Sequence, residues 1–145
     1  MSKNNKKNVY HKVGNSKGKS DSHAPKKQYI DMYYMNSREI SVKEIYECLL
    51  NDKPELKECV EYWEEAGVLE IMVGEDGSID MEMLELSEDE LADEFLFSNK
   101  IICVYSVHTN TELLQELKAL FGIVVEKHGG MLCSDTADFQ PILVK

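Results

Sequence analysis

Residues 101–138, IICVYSVHTNTELLQELKALFGIVVEKHGGMLCSDTAD, constrain the fold most, because two hydrophobic periods follow one another within a single short stretch. Residues 101–107 are uncharged and rich in β-branched side chains, which is the pattern of a buried strand. Thr109-Asn110-Thr111-Glu112 then offers a hydroxyl or amide to cap helical N–H groups, with a glutamate three residues after Thr109. Leu113, Leu114, Leu117, Leu120, Phe121, Val124 and Val125 recur at three- and four-residue spacing and share one broad helical face. Gly129-Gly130 supplies the left-handed geometry that ends a helix, and His128 in the last turn suits the negative end of its dipole. Residues 131–133 read as a second strand. The stretch therefore predicts a strand, a helix of about 18 residues and roughly 27 Å, and a strand. An apolar helix face of this breadth needs a sheet beneath it.

The preceding residues supply that sheet. Residues 29–35 (YIDMYYM) are strand formers, with Tyr29, Asp31, Tyr33 and Met35 on one face and Ile30, Met32 and Tyr34 on the other. Ser41-Val42-Lys43-Glu44 is a capping box with Ile40 and Ile45 at the staple positions, and it starts a helix that ends near Asn51-Asp52. Pro54 stands where a second helix would open, with Leu56, Val60 and Trp63 as its buried stripe and Gly67 as its end. Residues 68–73 and 78–84 flank a Gly74-Glu75-Asp76-Gly77 turn and predict a hairpin. Ser87-Glu88-Asp89-Glu90 is a second capping box, stapled by Leu86 and Leu91, for a short helix holding Phe95 and Leu96. Residues 139–144 are an apolar edge segment. The order β, α, α, β, β, α, β, α, β predicts an α+β ferredoxin-like sandwich: a mostly antiparallel sheet with helices on one face.

Charge divides the chain in two. Residues 1–27 carry eight of the sixteen basic residues and one of the 27 acids, which leaves eight and twenty-six for residues 28–145, a formal balance of −18. The first segment reads as a disordered basic tail and the second as a single acidic domain. A body this acidic repels phosphate backbones and attracts basic proteins, so nucleic acid is an expected partner only through residues 1–27. That tail is either a nucleic-acid arm or a solubilising extension. No apolar run approaches a membrane span, and the N-terminal residues lack the apolar core of a secretory signal. Cys48, Cys59, Cys103 and Cys133 show no metal-type spacing and read as reduced thiols of a cytoplasmic protein.

Three candidate sites follow. The acidic run Glu82, Glu85, Glu88, Asp89, Glu90, Asp93 and Glu94 contains no basic residue; it is either a solvated helix face or a docking surface for a cationic partner. His108, Cys133 and Asp135, with His128 and Asp138, are the one chemistry-like set. They converge only if the strands on either side of the long helix run parallel; otherwise helix-end electrostatics, turn chemistry and burial account for them. No HExxH, phosphate loop or nucleophile elbow occurs, and no cofactor, metal or catalytic residue is expected. Third, the helix–turn–helix–hairpin from 42 to 84 has a winged-helix layout, and EYWEEAGVLEI at 61–71 is similar to segments of DnaD-type replication proteins. Residues 54–66 would then be the recognition helix, but it carries Glu55, Glu58, Glu61, Glu64 and Glu65 against Lys57, a charge that DNA repels.

The C-terminal piece EKHGGMLCSDTADFQPI, residues 126–142, resembles small cytoplasmic immunity proteins of bacterial polymorphic-toxin systems, in which a Gly-Gly strand precedes a D-x-x-D-F-x-P-I segment. Asp135, Asp138, Phe139 and Pro141 carry the pattern. The resemblance covers the last third of the chain and implies a non-catalytic, high-affinity binder of a toxin. The expectation is an immunity or antitoxin-type protein that occludes a basic partner such as a nuclease-type toxin. Glu82, Glu85, Glu88, Asp89, Glu90, Asp93, Glu94, Asp135 and Asp138 would steer the encounter, with Trp63 or Phe139 as aromatic anchors if exposed. The alternatives are the winged-helix protein and a DNA-mimic inhibitor.

Overall fold

The computed structural model describes residues 28–145, and the expected disordered tail at 1–27 lies outside them. Among the described residues one sheet contains seven strands: β1 (Tyr29–Asn36), β2 (Val60–Trp63), β3 (Val68–Val73), β4 (Gly77–Met83), β5 (Cys103–Asn110), β6 (Met131–Ser134) and β7 (Ile142–Val144). Their spatial order is β2-β3-β4-β5-β1-β6-β7, and every neighbouring pair is antiparallel. The α-helices are α1 (Val42–Asp52), α2 (Glu88–Leu91), α3 (Glu94–Ser98) and α4 (Leu114–His128).

The strand directions explain the architecture. β5 and β6 both run antiparallel to β1, so they are parallel to each other, and α4 crosses from one to the other. β4 is likewise parallel to β1 with β5 between them, and α1 lies on that connection. Two split βαβ units therefore interlock in the order β4-β5-β1-β6. This is the ferredoxin-like α+β core expected from the sequence. The β2-β3 pair extends one edge and β7 the other.

Alternation along the strands places Met32 and Tyr34, Tyr105 and Val107, Ile79 and Met81, and Leu69 and Ile71 in one core. Ile45 and Leu49 of α1 and Leu117, Leu120, Phe121 and Val124 of α4 cover them. The two long helices thus share one face of the sheet. At one end of the opposite face, Leu96 of α3 packs with Met35, Val104, Met131 and Cys133, and Phe95 and Phe139 pack against them.

Three local expectations are corrected. Residues 54–66 are not a helix: a 3-10 turn at Pro54–Glu58 leads into β2, which pairs with β3 through Val60↔Ile71 and Tyr62↔Leu69. Val60 and Tyr62 turn inward while Glu61 and Trp63 are exposed, so the period is two, and the edge of β3 satisfies a backbone that a helix would have satisfied internally. The winged-helix reading loses its recognition helix. Second, Thr109 and Asn110 belong to β5. Thr109 Oγ1 donates to the Ser78 carbonyl at 2.8 Å, and α4 starts from a 3-10 turn at Thr111–Leu113 without a side-chain cap. Third, the helix after the Ser87 box divides. The box forms, with Glu90 N–H donating to Ser87 Oγ at 3.1 Å, but the helix ends at Leu91 and Asp93 caps a new one through the Phe95 N–H at 2.9 Å.

A buried polar knot joins the end of β1 to the end of α4. Asn36, 2% exposed, donates to Tyr34 Oη at 2.9 Å and to the His128 carbonyl at 3.1 Å, and accepts from the Arg38 N–H at 3.0 Å. Tyr34 Oη in turn donates to the Gly129 carbonyl at 2.7 Å. Asn36→Ala removes the donor to the His128 carbonyl and to Tyr34 Oη and the acceptor for the Arg38 N–H, while Tyr34 keeps its bond to Gly129, so we expect unfolding free energy to fall by about 2–3 kcal/mol. In urea the midpoint should drop while the m-value stays constant.

Candidate functional site

Among the described residues, the strands of the sheet contain five acids, Asp31, Glu61, Glu70, Asp80 and Glu82, and no lysine or arginine. Each acid alternates with residues of the main core, so all five lie on the face turned away from α1 and α4. Register then aligns them. Glu61 opposes Glu70, Glu70 opposes Asp80, Asp80 opposes His108 and His108 opposes Asp31, which makes one row across five strands. The adjacent row is Trp63, Val68, Glu82, Ser106 and Tyr33.

At the centre, His108 Nδ1 lies 2.8 Å from Asp31 Oδ1, and the Tyr29 ring stacks on the imidazole at 5.1 Å and 11°. Ser78 Oγ donates to Asp80 Oδ2 at 3.2 Å. Burial raises the pKa of the Glu70 carboxyl, and the Asp80 charge, a hydrogen bond shared with Asp80, and the Glu61 charge raise it further. Like charges placed directly opposite across strands are destabilising. The raised value gives the sign: folding is disfavoured above the ordinary value of 4.5 and the penalty vanishes below it. Glu70→Gln is therefore expected to raise stability at neutral pH by up to about 1 kcal/mol. Thermal unfolding should show the gain shrinking as pH falls toward the ordinary carboxylate range.

Three of the five large exposed hydrophobics among the described residues lie on the same face: Tyr29 is 60% exposed, Trp63 47% and Met72 41%; the other two are Phe97 in α3, at 75%, and Ile102, at 59%. Asn110 shares this side of β5 with His108, in register with Tyr29; it is 6% exposed, and its Oδ1 has no hydrogen-bond partner among the described residues.

The nine acids singled out in the sequence are dispersed among several tasks. Glu82 belongs to the sheet face, and Glu85 follows β4. Glu88, Asp89 and Glu94 are exposed in the first turns of α2 and α3, while Glu90 and Asp93 act as capping groups. Asp135 bonds to Tyr33, whose hydroxyl is pushed up to about 12 by burial first and Asp135 second. Asp138 accepts from Thr136 Oγ1 and Gln140 N–H, both at 3.1 Å, and so holds a turn. His108, Cys133 and Asp135 have different surroundings: Asp31 for the first, a fully buried position for the second, Tyr33 for the third. Burial pushes the Cys133 thiol up to about 11, which keeps it protonated. Of the two aromatic anchors, Trp63 is exposed, whereas Phe139 packs on Tyr33 and Phe95.

A groove of about 660 Å³ runs between α1 and α4, lined by Glu44, Glu47, Cys48, Asp52, Lys127 and His128 among others. Its charges are already mixed. Arg38 reaches Glu44 at 3.6 Å and His128 Nδ1 at 2.7 Å, so the groove lacks the single sign of the sheet face. Among the described residues no three His, Cys, Asp or Glu side chains gather where a metal ion would be held, and no helix is long and apolar enough to cross a membrane. No family model, curated protein or solved structure matches the chain.

Sequence reasoning missed Asp31, Glu61, Glu70 and Asp80 as a set. The signal was present: in LEI and IDM a single acid sits between inward-facing apolar residues, and three such strands side by side must build an acidic row.

Proposed function

We propose that this chain is a non-enzymatic binding module that masks a cationic protein partner, in the manner of the immunity or antitoxin-type proteins that residues 126–142 resemble. The observation that carries the reading is the row Glu61-Glu70-Asp80-His108-Asp31 with Trp63, Met72 and Tyr29 exposed on the same face. A surface that needed only to be solvated gains nothing from opposing Glu61, Glu70 and Asp80; interspersed lysines would relieve the repulsion. Bringing lysine or arginine side chains into the row offsets it, and the aromatic rings add cation–π contacts and apolar area. Dense charge of one sign also speeds encounter with a basic patch. The partner's basic surface is blocked by occupancy, and no bond is made or broken. Four free thiols, three of them buried, fit a reducing cytoplasmic setting for this role.

Trp63 is the chain's single tryptophan, and it stands on the face itself. Titration with oligolysine should therefore give a saturable change in tryptophan emission. The affinity should fall at least about tenfold as ionic strength rises from about 0.05 to 0.3 M, where the screening length shortens from near 14 Å to near 6 Å. Binding seen by calorimetry with no change in emission, or binding indifferent to salt, contradicts the reading.

A further inference from the structure

We propose that the partner element this face receives is an α-helix with basic residues at positions i, i+4 and i+7, laid across the strands along the acid row. The proposal rests on the reading of the face as a cation-docking surface and adds the shape of the cation. Register supplies the first argument. Glu61, Glu70 and Asp80 stand directly opposite one another on β2, β3 and β4. Successive carboxylates are therefore one strand spacing apart, ~4.8 Å, and the outer two are separated by about 9.6 Å. On a helix, residues i, i+4 and i+7 share one side and lie about 6.0 and 10.5 Å along the axis from the first. The two patterns agree to about 1 Å over their whole length.

An extended chain fits less well. Laid across the strands, its same-side residues fall about 6.8 Å apart, so three of them span about 13.6 Å and overshoot the outer carboxylate by about 4 Å. Laid along a strand instead, it meets Ser78, Asp80 and Glu82 on β4, Val68, Glu70 and Met72 on β3, or Glu61 and Trp63 on β2. None of these strands lines up three acids on the face; the crosswise row does. Glu61 is exposed and Glu70 and Asp80 are partly so, and a partner's side chains meet all three from solvent.

What flanks the row supports the helix independently. With its side chains a helix is about 10–12 Å across, wide enough to cover the row and the residues two places away on either side, roughly 7 Å along each strand. Trp63 and Val68 oppose each other on one side; Met72, with Ser78 opposite it, stands on the other. Both Trp63 and Met72 are exposed. The three carboxylates thus run between two apolar shoulders. A matching helix flanks its basic stripe with apolar residues, and the aliphatic stems of lysine or arginine extend the contact. From β2 to β1 the row spans four strand spacings, about 19 Å, the length of a helix of about 13 residues. Charge alone admits any cation; spacing and shoulders select among them.

Three synthetic peptides of equal charge, titrated into the full chain by calorimetry, test this. The first is an alanine-rich helix of about 14 residues with arginines at i, i+4 and i+7 and leucines beside them. The second holds the same residues with the arginines at i, i+5 and i+10, which spreads them around the helix. In the third, a central alanine of the first becomes proline, which breaks the helix. We expect the first to bind at least about tenfold more tightly than either other, with a gain in helical circular dichroism on binding. Equal affinities, a preference for the second or third, or binding of oligolysine but of no peptide overturns the helix and leaves the docking face standing. No binding of any peptide or of oligolysine removes both. A second measurement fixes the register. Glu70→Lys, which relieves opposed like charges in the free protein, should weaken the first peptide at least about tenfold. Changing that peptide's central arginine to glutamate should restore binding, and changing an end arginine should not. Equal restoration by the two contradicts the crosswise alignment.

Discussion

Gly130→Ala is expected to lower the free energy of unfolding by about 3–4 kcal/mol, the largest loss of any single substitution considered for this chain. Gly130 follows the end of α4 with φ +86°, a conformation that a side chain disfavours. It also lies against the strand that organises the sheet. A Cβ there would press into the Met35 carbonyl oxygen and stand 3.0 Å from both Asn36 Nδ2 and Tyr34 Cε1. These are members of the polar knot that fastens α4 to β1, so the neighbours cannot move aside without breaking buried hydrogen bonds. Gly74 separates the two causes. It has φ +70° in the β3–β4 turn with nothing near its missing Cβ, so Gly74→Ala should show the backbone penalty alone, about 1 kcal/mol. Urea unfolding of both variants checks the difference. Equal losses would place the whole effect in the backbone and none in packing.

Removing three charges from the sheet row should matter far more to binding than removing three from the helices. Glu61→Gln, Glu70→Gln and Asp80→Asn together are expected to weaken oligolysine binding about 30–100-fold. Glu70 and Asp80 stand between cross-strand neighbours and Glu61 ends the row at the edge strand. Three hydrogen bonds at about 0.7–0.9 kcal/mol net apiece sum to about 2–2.8 kcal/mol, and 1.4 kcal/mol is a factor of ten. Glu88→Gln, Asp89→Asn and Glu94→Gln change the net charge by the same amount but involve exposed side chains in first helical turns, so the loss should stay within about threefold. Glu90 and Asp93 are left in place because they cap α2 and α3. The sheet triple should also be at least as stable as the parent, since it removes opposed like charges. Calorimetric titration at one ionic strength compares the two. Equal weakening would mean that net charge alone, and no particular surface, governs association.

Much of the fold was readable because local signals agreed with one another. Both capping boxes form, the 68–84 hairpin forms, and Gly129-Gly130 ends α4 with positive φ at both positions. Residues 60–63 were ambiguous: Leu56, Val60 and Trp63 suit a helical stripe, while Val60 and Tyr62 suit an inward strand face. Nothing local decides between them. The open edge of β3 decides, and that is a contact distant from any helix signal. The site was legible only in part for the same reason. Glu82–Glu94 is conspicuous because it is contiguous, yet Glu90 and Asp93 serve as caps there. The acids of the row are spread from Asp31 to Asp80, and only strand register brings them together.

The central claim is that a cation is received on the sheet face opposite α1 and α4. Nuclear magnetic resonance of the isotope-labelled full chain during oligolysine titration measures this residue by residue. The account predicts that the largest amide shifts map to Glu61, Trp63, Glu70, Asp80, Glu82, Ser106, His108 and Asp31, and that they collapse together in high salt. Shifts centred on the α1–α4 groove, or distributed evenly over every exposed acid, would contradict it.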